Sequence, residues 1–171
     1  MNTAADHAPT APGGRRRTAA RLGAVQALYQ IELAGAAPET VIAEFLRHRL
    51  GQEEEDETFG AADRLFFAEL VRGAAARQDD LDRMITAALT PDWPLARLEA
   101  VLRAVLRLGA YELLAEAEVP ATVVISEYLD VAHAFFAGKE PGLVNGVLDR
   151  LARTLRPEDL AESSRGGPAP Q

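Results

Sequence analysis

Residues 98–113 read Leu98-Glu99-Ala100-Val101-Leu102-Arg103-Ala104-Val105-Leu106-Arg107-Leu108-Gly109-Ala110-Tyr111-Glu112-Leu113. Leu98, Val101, Leu102, Val105, Leu106, Leu108 and Leu113 cover most of a helical circumference. A helix apolar on so many sides belongs at the centre of a bundle. The flanking segments carry narrower stripes. Upstream, Leu22, Val25, Leu28/Tyr29 and Leu33 predict a helix over 18–34, ended by Gly35, with Pro38 opening the next. That second helix turns Val41, Ile42, Phe45 and Leu46 inward and stops near Gly51. Leu65, Phe66, Leu70, Val71, Leu81, Met84, Ile85 and Leu89 predict one long helix over 61–89. Downstream, Val119-Pro120 starts a helix carrying Val124, Tyr128, Val131 and Phe135. After a Gly138–Gly142 loop, the last helix carries Val144, Val147/Leu148, Leu151 and Leu155. Strand-like alternation is confined to the short Val123-Val124-Ile125 inside a helical pattern. The expected fold is all-α, a bundle of two helical groups, 15–89 and 90–158, packed in one domain. Thr90-Pro91-Asp92-Trp93-Pro94 separates them, with Trp93 expected as a cap over the bundle end. Residues 1–14 and 159–171, rich in Ala, Pro, Gly and Ser, are expected to be disordered tails.

The 171 residues are 48% hydrophobic and 26% charged, which suits a soluble globular chain able to bury its own core. With no cysteine, disulfides, thiolate metal sites and cysteine nucleophiles are excluded. No apolar run approaches the roughly 18 residues of a membrane span, and the N-terminus lacks a signal-peptide core, so a cytoplasmic protein is expected. Net charge is −8, unevenly spread. Residues 1–50 hold six Arg and four acids, whereas the rest is strongly acidic. The acidic run Glu53-Glu54-Glu55-Asp56-Glu57 is expected to be a solvated linker. Asp79, Asp80 and Asp82 sit at helix positions that face apart, so they do not form a metal set.

Catalytic chemistry has little to stand on. His7 lies in a tail, His48 on a charged helix end, and His133 among Ala and Phe. Neither a G-x-S-x-G, a P-loop nor a G-x-G-x-x-G sequence is present, and no cofactor is implied. Arg15, Arg16, Arg17 and Arg21 are different: they fall within seven residues that contain no acid. Guanidinium groups match phosphate oxygens bidentately, so the cluster is a candidate nucleic-acid contact. The competing reading is a solvated basic arm.

Four blocks in order carry a family resemblance: Ala24-Val25-Gln26-Ala27-Leu28-Tyr29 after the Arg-rich start; Val105-Leu106-Arg107-Leu108-Gly109-Ala110-Tyr111-Glu112-Leu113; Val119-Pro120 followed by Val124-Ile125-Ser126-Glu127; and Leu143-Val144-Asn145-Gly146-Val147-Leu148-Asp149. Over residues 17–157 the chain resembles the NusB family of transcription antitermination factors. The resemblance implies two three-helix subdomains and binding of single-stranded boxA RNA of ribosomal RNA operons. It implies a partner, the ribosomal protein NusE, and a larger complex with NusA, NusG and RNA polymerase that resists Rho-dependent termination. No enzyme activity is implied.

Carried over by position, Arg15, Arg16, Arg17 and Arg21 are the expected phosphate contacts, although Thr18-Ala19-Ala20 interrupts the family's arginine run. Tyr29 matches a tyrosine near the family's RNA and NusE surfaces, and Gln26 lies one turn before it. Lys139 stands where some members carry an acid and would add RNA contact. Leu102 stands where members often carry a glutamate linked to the partner interface. Asn145 is expected to cap the last helix. Two other readings stay open: a protein-binding adaptor without RNA affinity, and a NusB-like module of an RNA methyltransferase. The end at Gln171 and the lack of cysteine favour a standalone factor over the latter.

Overall fold

A computed structural model describes residues 12–48 and 63–165. The acidic run and residues 1–11 and 166–171 lie outside the described residues. Within them the chain forms eight α-helices and no strand.

α1 (Pro12–Ala34) starts six residues before its predicted boundary, Gly13 and Gly14 joining its first turn. It ends at Gly35, whose φ of 61° is the left-handed conformation that terminates helices at little cost for glycine. α2 (Pro38–His48) places Glu39 in its first turn and Arg47 and His48 in its last, matching the helix dipole. The long helix expected over 61–89 is two helices, α3 (Arg64–Ala76) and α4 (Gln78–Ala88). Asp63 caps α3, its carboxylate accepting the Phe66 N–H at 2.9 Å. At Arg77 the backbone leaves helical geometry (φ −109°, ψ 17°), and the new direction buries Leu81 and Ile85 completely. Asp79 and Asp80 thereby become first-turn acids of α4.

Leu95–Arg97 forms a single 3-10 turn before α5 (Ala100–Ala115). As expected, α5 is central: it is buried over nearly its whole length and packs on α1, α3, α4, α6 and α7. Its own Leu106, Leu108 and Leu113, with Phe67 and Leu70 of α3 and Leu148 on the last long helix, are fully buried, each worth about 1.5–3 kcal/mol of transfer energy. Gly73 on α3 faces the Tyr111 ring of α5 so closely that a Cβ there would lie 2.1 Å from it. Trp93 is 37% exposed, so it covers the bundle end only in part.

α6 (Ala121–Phe135) and α7 (Glu140–Leu155) pack on each other and on α5. Asn145 does not cap α7, because the helix begins at Glu140 and Asn145 lies exposed beyond its first turn. Part of the expected C-terminal tail is helical: α8 (Pro157–Arg165) packs on α6 and α7. Its Asp159 accepts the Ala121 N–H at 3.1 Å, capping α6 from 38 residues away. Arg156, between α7 and α8, is buried and donates to the carbonyls of Leu113 (2.8 Å), Glu112 (2.9 Å), Glu116 (2.6 Å) and Val119. Those groups include the orphan carbonyls at the end of α5, so one guanidinium closes that helix.

Candidate nucleic-acid interface

The arginine cluster folds into the first turns of α1, but its members do not share one environment. Arg16 and Arg17 are exposed. The Arg15 side chain lies outside the described residues. Arg17 holds its guanidinium 4.7 Å from the centre of the Phe66 ring, a cation–π distance that orders the side chain while leaving it in solvent. Phe66 is positioned by the Asp63 cap, and the Asp63 N–H reaches the Arg16 carbonyl at 3.4 Å, tying the start of α3 to the start of α1.

Arg21 departs from the sequence expectation. It is 2% exposed, and a fully buried Glu112 on α5 takes its guanidinium bidentately, Nε to Oε2 at 3.0 Å and Nη2 to Oε1 at 2.5 Å. Glu127 on α6 stands 3.5 Å from its Nη1 and lies 2.9 Å from the Thr18 hydroxyl. Arg21 therefore presents no open fork to a phosphate. The acids that neutralise it come from 91 and 106 residues downstream, where the local sequence cannot show them. Burial opposes the charge on Arg21, but hydrogen bonding and attraction from Glu112 more than offset it and raise its pKa. Tyr128 is completely buried beside the pair; burial and then the Glu112 charge push its hydroxyl well above the usual tyrosine range.

Acids also border the exposed arginines. The Glu116 carboxyl, just past the end of α5, is raised to about 7 by burial and then by hydrogen bonding and repulsion from Glu69 on α3, with Arg17 pulling the other way.

A groove of about 520 Å³ runs along the same α1 helix, lined by Gln26, Tyr29, Leu33, Phe45, Val101 and Phe135. Tyr29 is 39% and Leu33 62% exposed, so the groove is an open apolar face. Leu102 does not belong to it. That residue is 2% exposed and turned into the core, which leaves it no surface to offer a partner; its neighbour Val101 lines the groove instead. Beyond the groove, Glu32 pairs with Arg103 and with Arg107 (3.0 Å), and Arg107 also takes Asp82 bidentately at 2.7 and 3.0 Å. This chain of charges links α1, α5 and α4. It gives Asp82 a structural partner, and no metal-holding acid group occurs among the described residues. Lys139 is exposed at the start of α7, four residues beyond the groove's Phe135. Among the described residues, no contact joins it to Arg16 or Arg17. Nor is any helix of the described residues long and apolar enough to cross a membrane.

Glu112, Glu127 and Phe66 were not singled out as site residues by sequence. A signal for Glu112 was present: it is the lone carboxylate of a helix buried on nearly every side, and such a group requires a cationic partner.

The sequence profile of the NusB family matches residues 18–153. The chain is 48% identical over 164 residues to the transcription antitermination protein NusB of Rhodopseudomonas palustris, covering 94% of this chain and 97% of that one. It is 52% identical over 145 residues to that of a Bradyrhizobium species, covering 85% and 86%. The fold is similar to T. maritima NusB, with a TM-score of 0.69, 32% identity, and 86% and 96% coverage. It is also similar to a crystal structure of the antitermination factors NusB and NusE in complex with dsRNA, with a TM-score of 0.68, 25% identity, and 82% and 98% coverage. On sequence and fold together, the chain belongs to the NusB family.

Proposed function

We propose that the protein is a transcription antitermination factor that binds boxA RNA of ribosomal RNA operons together with NusE. In the larger complex with NusA, NusG and RNA polymerase it makes elongation resist Rho-dependent termination, in the cytoplasm and without catalysing a reaction. One observation carries this reading: the exposed Arg16 and Arg17 and the open apolar groove around Tyr29 lie on a single helix, α1. A related fold is seen with both NusE and RNA. Arg16 and Arg17 take phosphates, joined by Arg15. Arg17 is already ordered on Phe66 and spends little further entropy on binding. The groove receives NusE through Tyr29, Leu33 and Phe135, with Gln26 at its polar edge, and Lys139 adds positive charge on the Phe135 side. The body of the protein is acidic, so its free arginines are the local attraction for RNA.

Fluorescence anisotropy of a labelled single-stranded boxA-type RNA, with and without NusE and at two salt concentrations, tests this. Tighter binding with NusE that weakens in salt is expected. Binding of NusE with no RNA affinity under either condition would identify a protein adaptor instead.

A further inference from the structure

We infer that Glu112 is the positioning residue of the RNA-binding surface: it holds Arg21 and thereby sets the first turns of α1, so that Arg16 and Arg17, and not Arg21, meet the RNA. The inference rests on the RNA-binding reading above. Arg21 and Glu112 are both nine-tenths or more buried and joined bidentately, the geometry that fixes a guanidinium in orientation as well as in place. Glu112 is anchored on α5, the most deeply packed helix, so what it holds is held against the core. The hold reaches the surface along two routes. Arg21 and Arg17 lie over the same Phe66 ring, at 5.3 and 4.7 Å, so the ring and the buried guanidinium together define where the exposed one sits. Glu127 meets both Arg21 and Thr18, and Thr18 also lies 2.9 Å from the Gly14 carbonyl in the preceding turn.

A buried ion pair is a costly way to stabilise a core, and apolar residues of similar volume often serve as well. What it supplies is a single orientation. Two carboxylates, Glu112 and Glu127, stand against the one guanidinium of Arg21. A phosphate would have to displace both acids to reach it.

The test measures affinity for a labelled boxA-type RNA in the presence of NusE, together with affinity for NusE alone. Wild type, Glu112→Gln, Glu112→Asp and, as reference, Arg17→Ala are compared. Glu112→Gln releases Arg21 from its carboxylate. If Arg21 gripped phosphate directly, RNA binding would tighten; with Glu112 as positioning residue, it weakens about 5–10-fold. Glu112→Asp keeps the charge but shortens the arm by one methylene, and RNA binding falls about 2–5-fold. In both variants NusE affinity stays within 2-fold of wild type, because the groove is formed elsewhere on α1. Tighter or unchanged RNA binding in Glu112→Asp overturns the inference, and it decides even where Glu112→Gln folds poorly. So does a parallel loss of NusE binding, which marks a merely structural role. If wild type binds no RNA and Arg17→Ala changes nothing, the RNA-binding reading itself fails; if Arg17→Ala weakens binding and the Glu112 variants do not, only the positioning role fails.

Discussion

Replacing Arg156 with Met keeps most of the side-chain volume and removes the guanidinium, which isolates its hydrogen bonding from its packing. The guanidinium meets four carbonyls. Those of Glu112 and Glu116 also accept backbone N–H groups, from Glu116 at 3.0 Å and from Val119 at 3.1 Å. Those of Leu113 and Val119 depend on Arg156 for the bonds described above. Two buried carbonyls losing their donors cost about 1–3 kcal/mol each, so a loss of about 3–4 kcal/mol is expected. For a chain of this size each kcal/mol moves Tm by about 2–4 °C, which places the shift at about 6–16 °C. Arg153→Met is the control. Arg153 pairs with Asp149 at 2.8 Å on an exposed face, where solvent screens the pair and its loss costs little. Thermal unfolding followed by circular dichroism measures both. A shift below about 3 °C for Arg156→Met, or one no larger than that of Arg153→Met, would refute the assignment of Arg156 as the closing residue of α5.

Three further outcomes are expected. Gly73→Ala puts a methyl group against the Tyr111 ring and forces α3 and α5 apart, a loss of about 1–3 kcal/mol read by urea unfolding; unchanged stability would show that the ring moves freely aside. Glu116, raised to about 7 in the folded chain, stays protonated where an unfolded glutamate has already ionised. Its stabilising contribution is therefore full below about pH 4.5 and is lost as pH rises towards 7, a change on the order of 1 kcal/mol after allowance for solvent; Glu116→Gln flattens that part of the stability–pH curve, and an identical curve would contradict the assignment. Leu33→Glu puts a charge on an exposed wall of the groove. NusE binding by calorimetry weakens at least about 10-fold while Tm holds, and full affinity would move NusE off this face.

The parts of the fold legible in the sequence were those governed by short-range periodicity. The apolar circumference of residues 98–113 marked α5 as central, and Leu22, Val25 and Leu28 gave α1 its inner face. The split at Arg77 was hidden because the apolar stripes of α3 and α4 run on almost in phase across it. α8 was hidden for another reason: its nine residues include Pro, Asp and two Ser, too short and too weak in propensity to stand alone, and its order comes from Asp159 capping α6 and from packing on α6 and α7. The same distinction governs the site. Arg16, Arg17 and Tyr29 could be singled out from residue type alone, and the structure leaves all three exposed. Arg21 was misplaced among them because its acids, Glu112 and Glu127, are distant in sequence. Leu102 was placed on the partner surface by family position, one residue from Val101, which does line the groove.

The central claim is that the exposed arginines of α1 take RNA phosphates. The slope of log affinity against log salt, for a boxA-type RNA with NusE present, tests it most directly. Each single-strand phosphate contact contributes about −0.7, so Arg16→Ala with Arg17→Ala makes the slope shallower by about 1.4 and weakens binding most at low salt. An unchanged slope in that double variant, with RNA still bound as tightly, would contradict the account.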